Sequence, residues 1–215
     1  MNRIAILTRD CGGVNAAIRA VVRTAAASGL LVDGVVRGYE GLIRGDFVPL
    51  DRRSVSNIIG LGGTILKTAR SDAFMAEEGQ KTALANMRAR GIDGLVVIGG
   101  NGSLAGARVL ASRYGFPVVG VPATIDNDVP GVESAVGADT AVNVALDAVD
   151  KIRDTATSLE RIFVVEVMGR MCGWIAMNVA LAGGCEEVLL PEKDVPIDDL
   201  CAEIVAGRAR GKASW

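Results

Sequence analysis

The chain contains no histidine, so any general acid or base chemistry falls to a carboxylate, lysine, tyrosine or thiol. Aspartate is the first candidate. Asp126 and Asp128 lie two residues apart in Thr124-Ile125-Asp126-Asn127-Asp128, directly after an apolar run that reads as a strand. Extended residues at that spacing face the same way. One carboxylate can then take a proton from a substrate hydroxyl while the other helps to hold Mg²⁺ against a transferring phosphoryl group. In isolation, Asp-Asn-Asp is equally a solvated turn or a helix cap. A second feature, Gly99-Gly100-Asn101-Gly102-Ser103, joins an apolar run to a helical pattern. Its backbone N–H groups can converge on a phosphate, although a glycine turn alone would read the same way. Arg70, Arg161 and Arg170 fall near strand ends or glycine turns, where guanidinium groups grip phosphate in pairs of bonds. Singly each is an ordinary surface arginine; with the loops, they point to a substrate that carries its own phosphate. The segment 62–68 is not a P-loop, because Leu66 stands where that pattern needs glycine before Lys67-Thr68.

The elements that would position these residues alternate. Strands are expected at 4–7, 31–36, 94–98, 117–121, 161–167 and 187–190, and helices at 16–28, 76–90, 103–113, 141–155, 171–182 and 196–208. Nearly uniform apolar strands between helices imply a parallel sheet covered on both faces. In such a sheet ligands bind at the carboxyl ends of the strands, where the loops 8–15, 61–70, 99–103 and 122–131 fall. The pattern predicts a three-layer, Rossmann-like α/β protein of two domains, 1–137 and 138–215.

The 23 basic and 25 acidic residues leave a net charge of -2, which gives no general field for nucleic acid or an anionic membrane. The apolar runs fall short of the roughly 18 to 20 residues that span a bilayer, and the N-terminal one is too short for a secretory signal. A cytoplasmic protein is expected. Cys11, Cys172, Cys185 and Cys201 form no CxxC pair, and without histidine the usual zinc sets are nearly excluded; they read as reduced thiols.

Taken in order, Asn15-Ala16-Ala17-Ile18-Arg19, Gly38-Tyr39-Glu40-Gly41-Leu42, Gly62-Gly63-Thr64, Gly91-Ile92-Asp93, the 98–103 loop, the 124–128 loop, the 164–170 segment and Ala182-Gly183-Gly184-Cys185-Glu186 resemble the bacterial ATP-dependent 6-phosphofructokinases. The resemblance implies the phosphofructokinase fold, with an ATP domain followed by a smaller sugar-phosphate domain. It also implies a glycolytic enzyme that moves the γ-phosphate of ATP to the 1-hydroxyl of fructose 6-phosphate. Asp126 would be the base, with Thr124 and Asp128 its partners in holding substrate and Mg²⁺. Arg170 and Arg70 would stabilise the transferring group. Gly12, Gly13, Gly100, Asn101, Gly102 and Ser103 would meet ATP, and Asn101 and Asp128 the metal. Met168, Gly169 and Arg170 would hold the sugar phosphate, and Arg161 would reach across a subunit interface. Gly102 and Ala123 match ATP users, since pyrophosphate users tend to carry aspartate and lysine there. Arg19, Arg23, Arg52, Arg153, Glu186, Arg210 and Lys212 match an allosteric site for a nucleoside diphosphate or phosphoenolpyruvate between subunits, and the family implies a tetramer.

Three departures from the family pattern bear on chemistry. The first loop is two residues shorter and reads Thr8-Arg9-Asp10-Cys11-Gly12-Gly13, Asn101 replaces the family's aspartate, and family members continue beyond this length, so the second domain is expected to be incomplete. An amide brings no negative charge to a hard dication, so weaker metal binding is expected. A non-catalytic relative, keeping sugar-phosphate or effector sites without productive ATP and Mg²⁺ binding, is the competing reading.

Overall fold

Residues 4–7 are all buried, as a strand inside a parallel sheet requires. They belong to β1 (Arg3–Thr8). A computed structural model describes residues 1–159 and 161–211 of the chain. The other strands are β2 (Leu31–Val35), β3 (Phe47–Leu50), β4 (Gly94–Gly99) and β5 (Val118–Pro122), in the order β3-β2-β1-β4-β5. β3 alone runs antiparallel, at the edge. The helices are α1 (Val14–Ala27), α2 (Gly38–Arg44), α3 (Glu77–Ala89), α4 (Asn101–Tyr114), α5 (Ala138–Leu159), α6 (Trp174–Gly183) and α7 (Ile197–Ala209), with a 3-10 turn at Ala73–Met75.

Alternation along β1 shows how the sheet is covered. Ala5 and Leu7 join one cluster with Leu42 of α2, Leu84 and Met87 of α3, and Leu110 of α4. Ile4 and Ile6, on the opposite pleat, are buried outside that cluster. The expected α/β class is therefore what the chain adopts. α2 and β3 escape the sequence pattern because a seven-residue helix and a four-residue edge strand are too short to show a period.

Two compact units divide the chain. The first holds Met1–Thr124 and Asp128–Gly137; the second holds Ile125–Asn127 and the chain from Ala138 onward. In the second unit Val149 of α5 packs with Ile175 and Val179 of α6, and Ile125 and Val167 lie against them. Here the structure corrects the sequence. Residues 161–167 and 187–190 are apolar enough for strands, but no strand pairing is formed by them among the described residues. A strand exists only as a hydrogen-bonded pair. Val164 is accordingly 87% exposed, and residues 162–170 line an apolar groove of about 710 Å³ within this unit.

One charge sits inside the first unit. Asp33 of β2 is fully buried, yet it accepts from Arg3 Nη1 at 2.7 Å and from Arg90 Nε and Nη2 at 3.2 and 3.1 Å. Burial pushes its carboxyl up, but the hydrogen bonds and charges of Arg90 and Arg3 outweigh that and hold it below the ordinary value of 3.8. A depressed carboxyl stabilises the fold above its unfolded pKa and loses that contribution as pH falls through the folded value. Asp33→Asn should therefore cost about 2–4 kcal/mol at neutral pH, below the largest effects of breaking buried pairs because both arginines reach water. The deficit, read by urea denaturation, should persist at pH 5 and shrink below pH 3.8. A variant as stable as the parent at pH 7 would show that the triad contributes nothing.

Candidate active site

The end of β4 organises the first unit's loops. Ile98 O accepts from Arg9 N at 2.9 Å, and Gly99 O accepts from Ala123 N at 3.0 Å. The first loop and the segment entering Thr124 are thus stitched to either side of the 99–103 turn. Close approach fixes the glycines here. A β-carbon on Gly99 would stand 2.7 Å from Ser103 Oγ, and one on Gly100 would stand 3.2 Å from Thr124 Cβ. The first distance is closer than β-carbons approach, and the second would oblige Thr124 to give by a few tenths of an ångström. α4 begins at Asn101, so the turn's free amides stand at a helix N-terminus. Asn101 Nδ2 donates to Asp128 O at 3.2 Å, which leaves its Oδ1 and the exposed Asp128 carboxylate as oxygen donors on the same side of the unit.

The first loop is held by a thiol. Cys11 Sγ donates to Val136 O at 3.2 Å, and the same carbonyl accepts Thr124 N at 3.0 Å. Burial, with the nearby Asp10 charge, pushes this thiol up to about 11, so Cys11 is a structural anchor and no nucleophile at neutral pH. Gly12 follows, and Gly13 caps α1 with a left-handed φ of 82°.

Four residues that sequence reasoning left without a role set the neighbouring loops. Asn15, 1% exposed, donates to Leu61 O and Gly62 O and accepts from Ile65 N at 2.9 Å. The Thr8 and Thr64 hydroxyls share a hydrogen bond of 2.8 Å. Tyr39 OH donates to Ser103 O at 2.6 Å, its ring stacks on Phe74 at 4.0 Å, and burial raises its pKa. A polar residue on an apolar helix face, as Asn15 is, was the available signal. Asp10, Gly62, Gly63, Thr64, Lys67 and Thr68 line a shallow cleft of about 260 Å³ between these loops. Arg70 leaves that loop exposed, and its side chain makes no hydrogen bond or ion pair with the described residues.

The 124–128 segment departs from the extended reading. The chain bends at Ile125 and Asp126, and Asn127 takes a left-handed φ of 49°. The strand rule that would face Asp126 and Asp128 the same way does not apply, and the two residues belong to different units. Asp126 is half-buried, and its carbonyl accepts Cys172 Sγ at 3.1 Å.

Within the second unit, Gly169 has φ 153°, and a β-carbon there would stand 2.3 Å from Cys172 O. Arg170 follows with φ 55°, a costly conformation for arginine. Met168 and Arg170 are exposed, and the Arg170 guanidinium, like that of Arg161, has no protein partner among the described residues. The effector candidates are more committed. Arg19 Nη1 donates to Val55 O at 2.9 Å, Arg153 Nη2 donates to Gly184 O, and the Arg210 N–H closes the last turn of α7. Arg23, Arg52 and Glu186 are exposed. Lys212 lies outside the described residues.

The chain matches known proteins along its length. The phosphofructokinase family model covers residues 3–215. An ATP-dependent 6-phosphofructokinase 1 of Thermus thermophilus is 54% identical over all of this chain, and one of Clostridium botulinum is 52% identical over 99% of it; the chain spans 67% of the length of each. Among solved structures, a phosphofructokinase from Saccharomyces cerevisiae superposes with a TM-score of 0.89 at 37% identity, over the whole of this chain and 33% of that one. With the family model matching residues 3–215 and these relatives more than half identical over the whole chain, the chain belongs to the phosphofructokinases.

Proposed function

We propose that this chain carries the ATP-dependent 6-phosphofructokinase reaction, transfer of the ATP γ-phosphate to the 1-hydroxyl of fructose 6-phosphate. The observation that carries the reading is the junction of Gly99 O with Ala123 N and of Gly100 with Thr124. It sets a phosphate-type turn against the residue from which the Asp126 segment departs. Two peptide units hold the Asp126 Cα within about 7 Å of the Thr124 Cα by chain geometry alone.

In this reading Asp126 takes the proton from the sugar hydroxyl as its oxygen attacks phosphorus, and Thr124 and Asp128 orient the reactants. The 100–103 amides, Gly12, Gly13 and Arg70 hold the nucleotide phosphates. Arg170 and Arg161, with Met168 and Gly169, take the sugar phosphate. The unpaired guanidiniums suit that task, because a protein carboxylate already paired with them would have to be displaced. No group of three or more His, Cys, Asp or Glu among the described residues could cage a metal. Mg²⁺ is usually held by one or two carboxylates together with substrate phosphates. Asp128 and the Asn101 amide oxygen would hold it, and when bound it supplies neutralisation of phosphoryl charge. Among the described residues no helix is long and apolar enough to cross a membrane, and the reading places the protein in the cytoplasm. A tetramer with an effector site drawing on Arg19, Arg23, Arg52, Arg153, Glu186 and Arg210 is part of the same proposal.

A coupled assay for fructose 1,6-bisphosphate tests it. Asp126→Asn should lower kcat by roughly a hundred- to ten-thousand-fold while the protein still binds ATP. Folded parent protein that binds ATP and forms no product would leave a nucleotide-binding relative without the reaction. In the same assay Asn101→Asp should lower the Mg²⁺ concentration needed for half-maximal rate, since it adds a charge to the metal's oxygen set. An unchanged Mg²⁺ requirement would remove Asn101 from the metal site.

A further inference from the structure

Arg9 follows β1 directly and extends its pairing with β4 by one rung, through Arg9 N and Ile98 O. Its Cγ lies 3.0 Å from the point where a β-carbon on Gly99 would stand. The arginine stem therefore crosses the bare backbone of Gly99, next to the turn that opens α4. At the far end Nη1 donates to Ala69 O at 3.0 Å, the carbonyl immediately before Arg70. Nothing else in the described residues bonds the guanidinium, and no carboxylate pairs with it. Four of the five N–H donors of its fixed fork are unspent.

Arg19 and Arg153 likewise donate to one backbone carbonyl each, but from within helices α1 and α5 rather than from the end of β1 beside the α4 turn. Other paired arginines close on carboxylates. Arg3 and Arg90 close on the Asp33 carboxylate, and Arg44 on Glu40. Arg9 is instead half-buried, anchored by one neutral carbonyl, and placed between the α4 turn and the exposed Arg70. The permanently charged fork therefore has free donors beside a turn whose amides also face outward. The first loop has few backbone amides to offer, since Asp10, Cys11 and Gly12 are the residues between Arg9 and the cap of α1.

We propose that Arg9 is a nucleotide-phosphate-binding residue, gripping the ATP polyphosphate with Arg70 and doing with a side chain what a longer glycine loop does with amides. The inference rests on the kinase reading above for the identity of the ligand. Its consequence is that affinity for ATP depends on the Arg9 charge, whereas affinity for fructose 6-phosphate does not.

Calorimetric titration of Arg9→Gln, Arg9→Lys and the parent with MgATP, and separately with fructose 6-phosphate, tests it. Glutamine keeps the stem over Gly99 and removes the charge, although its amide ends two bonds short of the Nη1 that reaches Ala69 O. If Arg9 grips phosphate, Arg9→Gln weakens MgATP binding about tenfold or more, the worth of a charge-assisted hydrogen bond, and leaves fructose 6-phosphate binding unchanged. Arg9→Lys recovers part of the loss, because the charge returns without the fork. If Arg9→Gln binds MgATP as the parent does, with or without a change in melting temperature, Arg9 is only a strap between loops and the proposal is wrong. A parent that does not bind MgATP also overturns it. An Arg9-dependent affinity in a parent that makes no fructose 1,6-bisphosphate supports this proposal while sinking the kinase reading, so the two fail separately. Should Arg9→Gln not fold, Arg9→Lys decides, since unchanged MgATP affinity there together with normal melting overturns a role for the fork.

Discussion

Two consecutive carbonyls at the end of β4, those of Ile98 and Gly99, hold the site together. One accepts from the chain leaving β1 and the other from the chain leaving β5. Because the three strands are parallel, both loops depart from the same edge, where α4 also begins. A third carbonyl extends the arrangement. Val136 O accepts both Thr124 N and Cys11 Sγ, so the short first loop and the segment leading to Asp126 share one anchor. Any substitution that spreads β4 from β5 would therefore move three loops at once. A buried thiol serves at Cys11 because its size fits against Gly137, where a β-carbon would stand 2.9 Å from the sulfur.

The arginines divide by what they touch. Arg3 and Arg90 neutralise the buried Asp33, Arg19 ties α1 to Val55, and Arg153 caps α6 through Gly184. These cations have local reasons to be where they are. Arg70, Arg161 and Arg170 make no such bond among the described residues, and Arg170 also holds a left-handed backbone. Exposure of an arginine costs little and by itself signals nothing. Strain without a compensating contact is different, because the fold must supply the energy for it.

The sheet and its helices were legible because long apolar periods report burial directly. β1, β4 and α4 are read from sequence to within a residue or two, where Gly99 and Gly115 mark the ends. Pairing was not legible in the second unit. Residues 161–167 have strand composition, but composition says nothing about whether a neighbour donates hydrogen bonds. The loop chemistry was legible in kind and not in conformation. Asp126 and Asp128 stand out as a pair, while the left-handed Asn127 between them breaks the extended backbone that the spacing rule assumes. Asn15 and Tyr39 were hidden for another reason: each acts on a loop far away in sequence, through Ile65 and Ser103.

Gly102 gives the clearest case of a residue that the fold does not explain. Gly99 is required by its contact with Ser103, Gly100 is favoured by the close approach of Thr124, and Gly106 is required by the Tyr39 ring, 2.6 Å from a β-carbon there. A β-carbon on Gly102 would meet nothing within 4 Å. It lies in the first turn of α4, where alanine would be tolerated by the protein and would favour the helix by up to about 1 kcal/mol. Glycine at 102 thus has neither a local preference nor a packing reason within the protein. Under the proposed kinase reading, a phosphate chain lying on the helix N-terminus would use that open space.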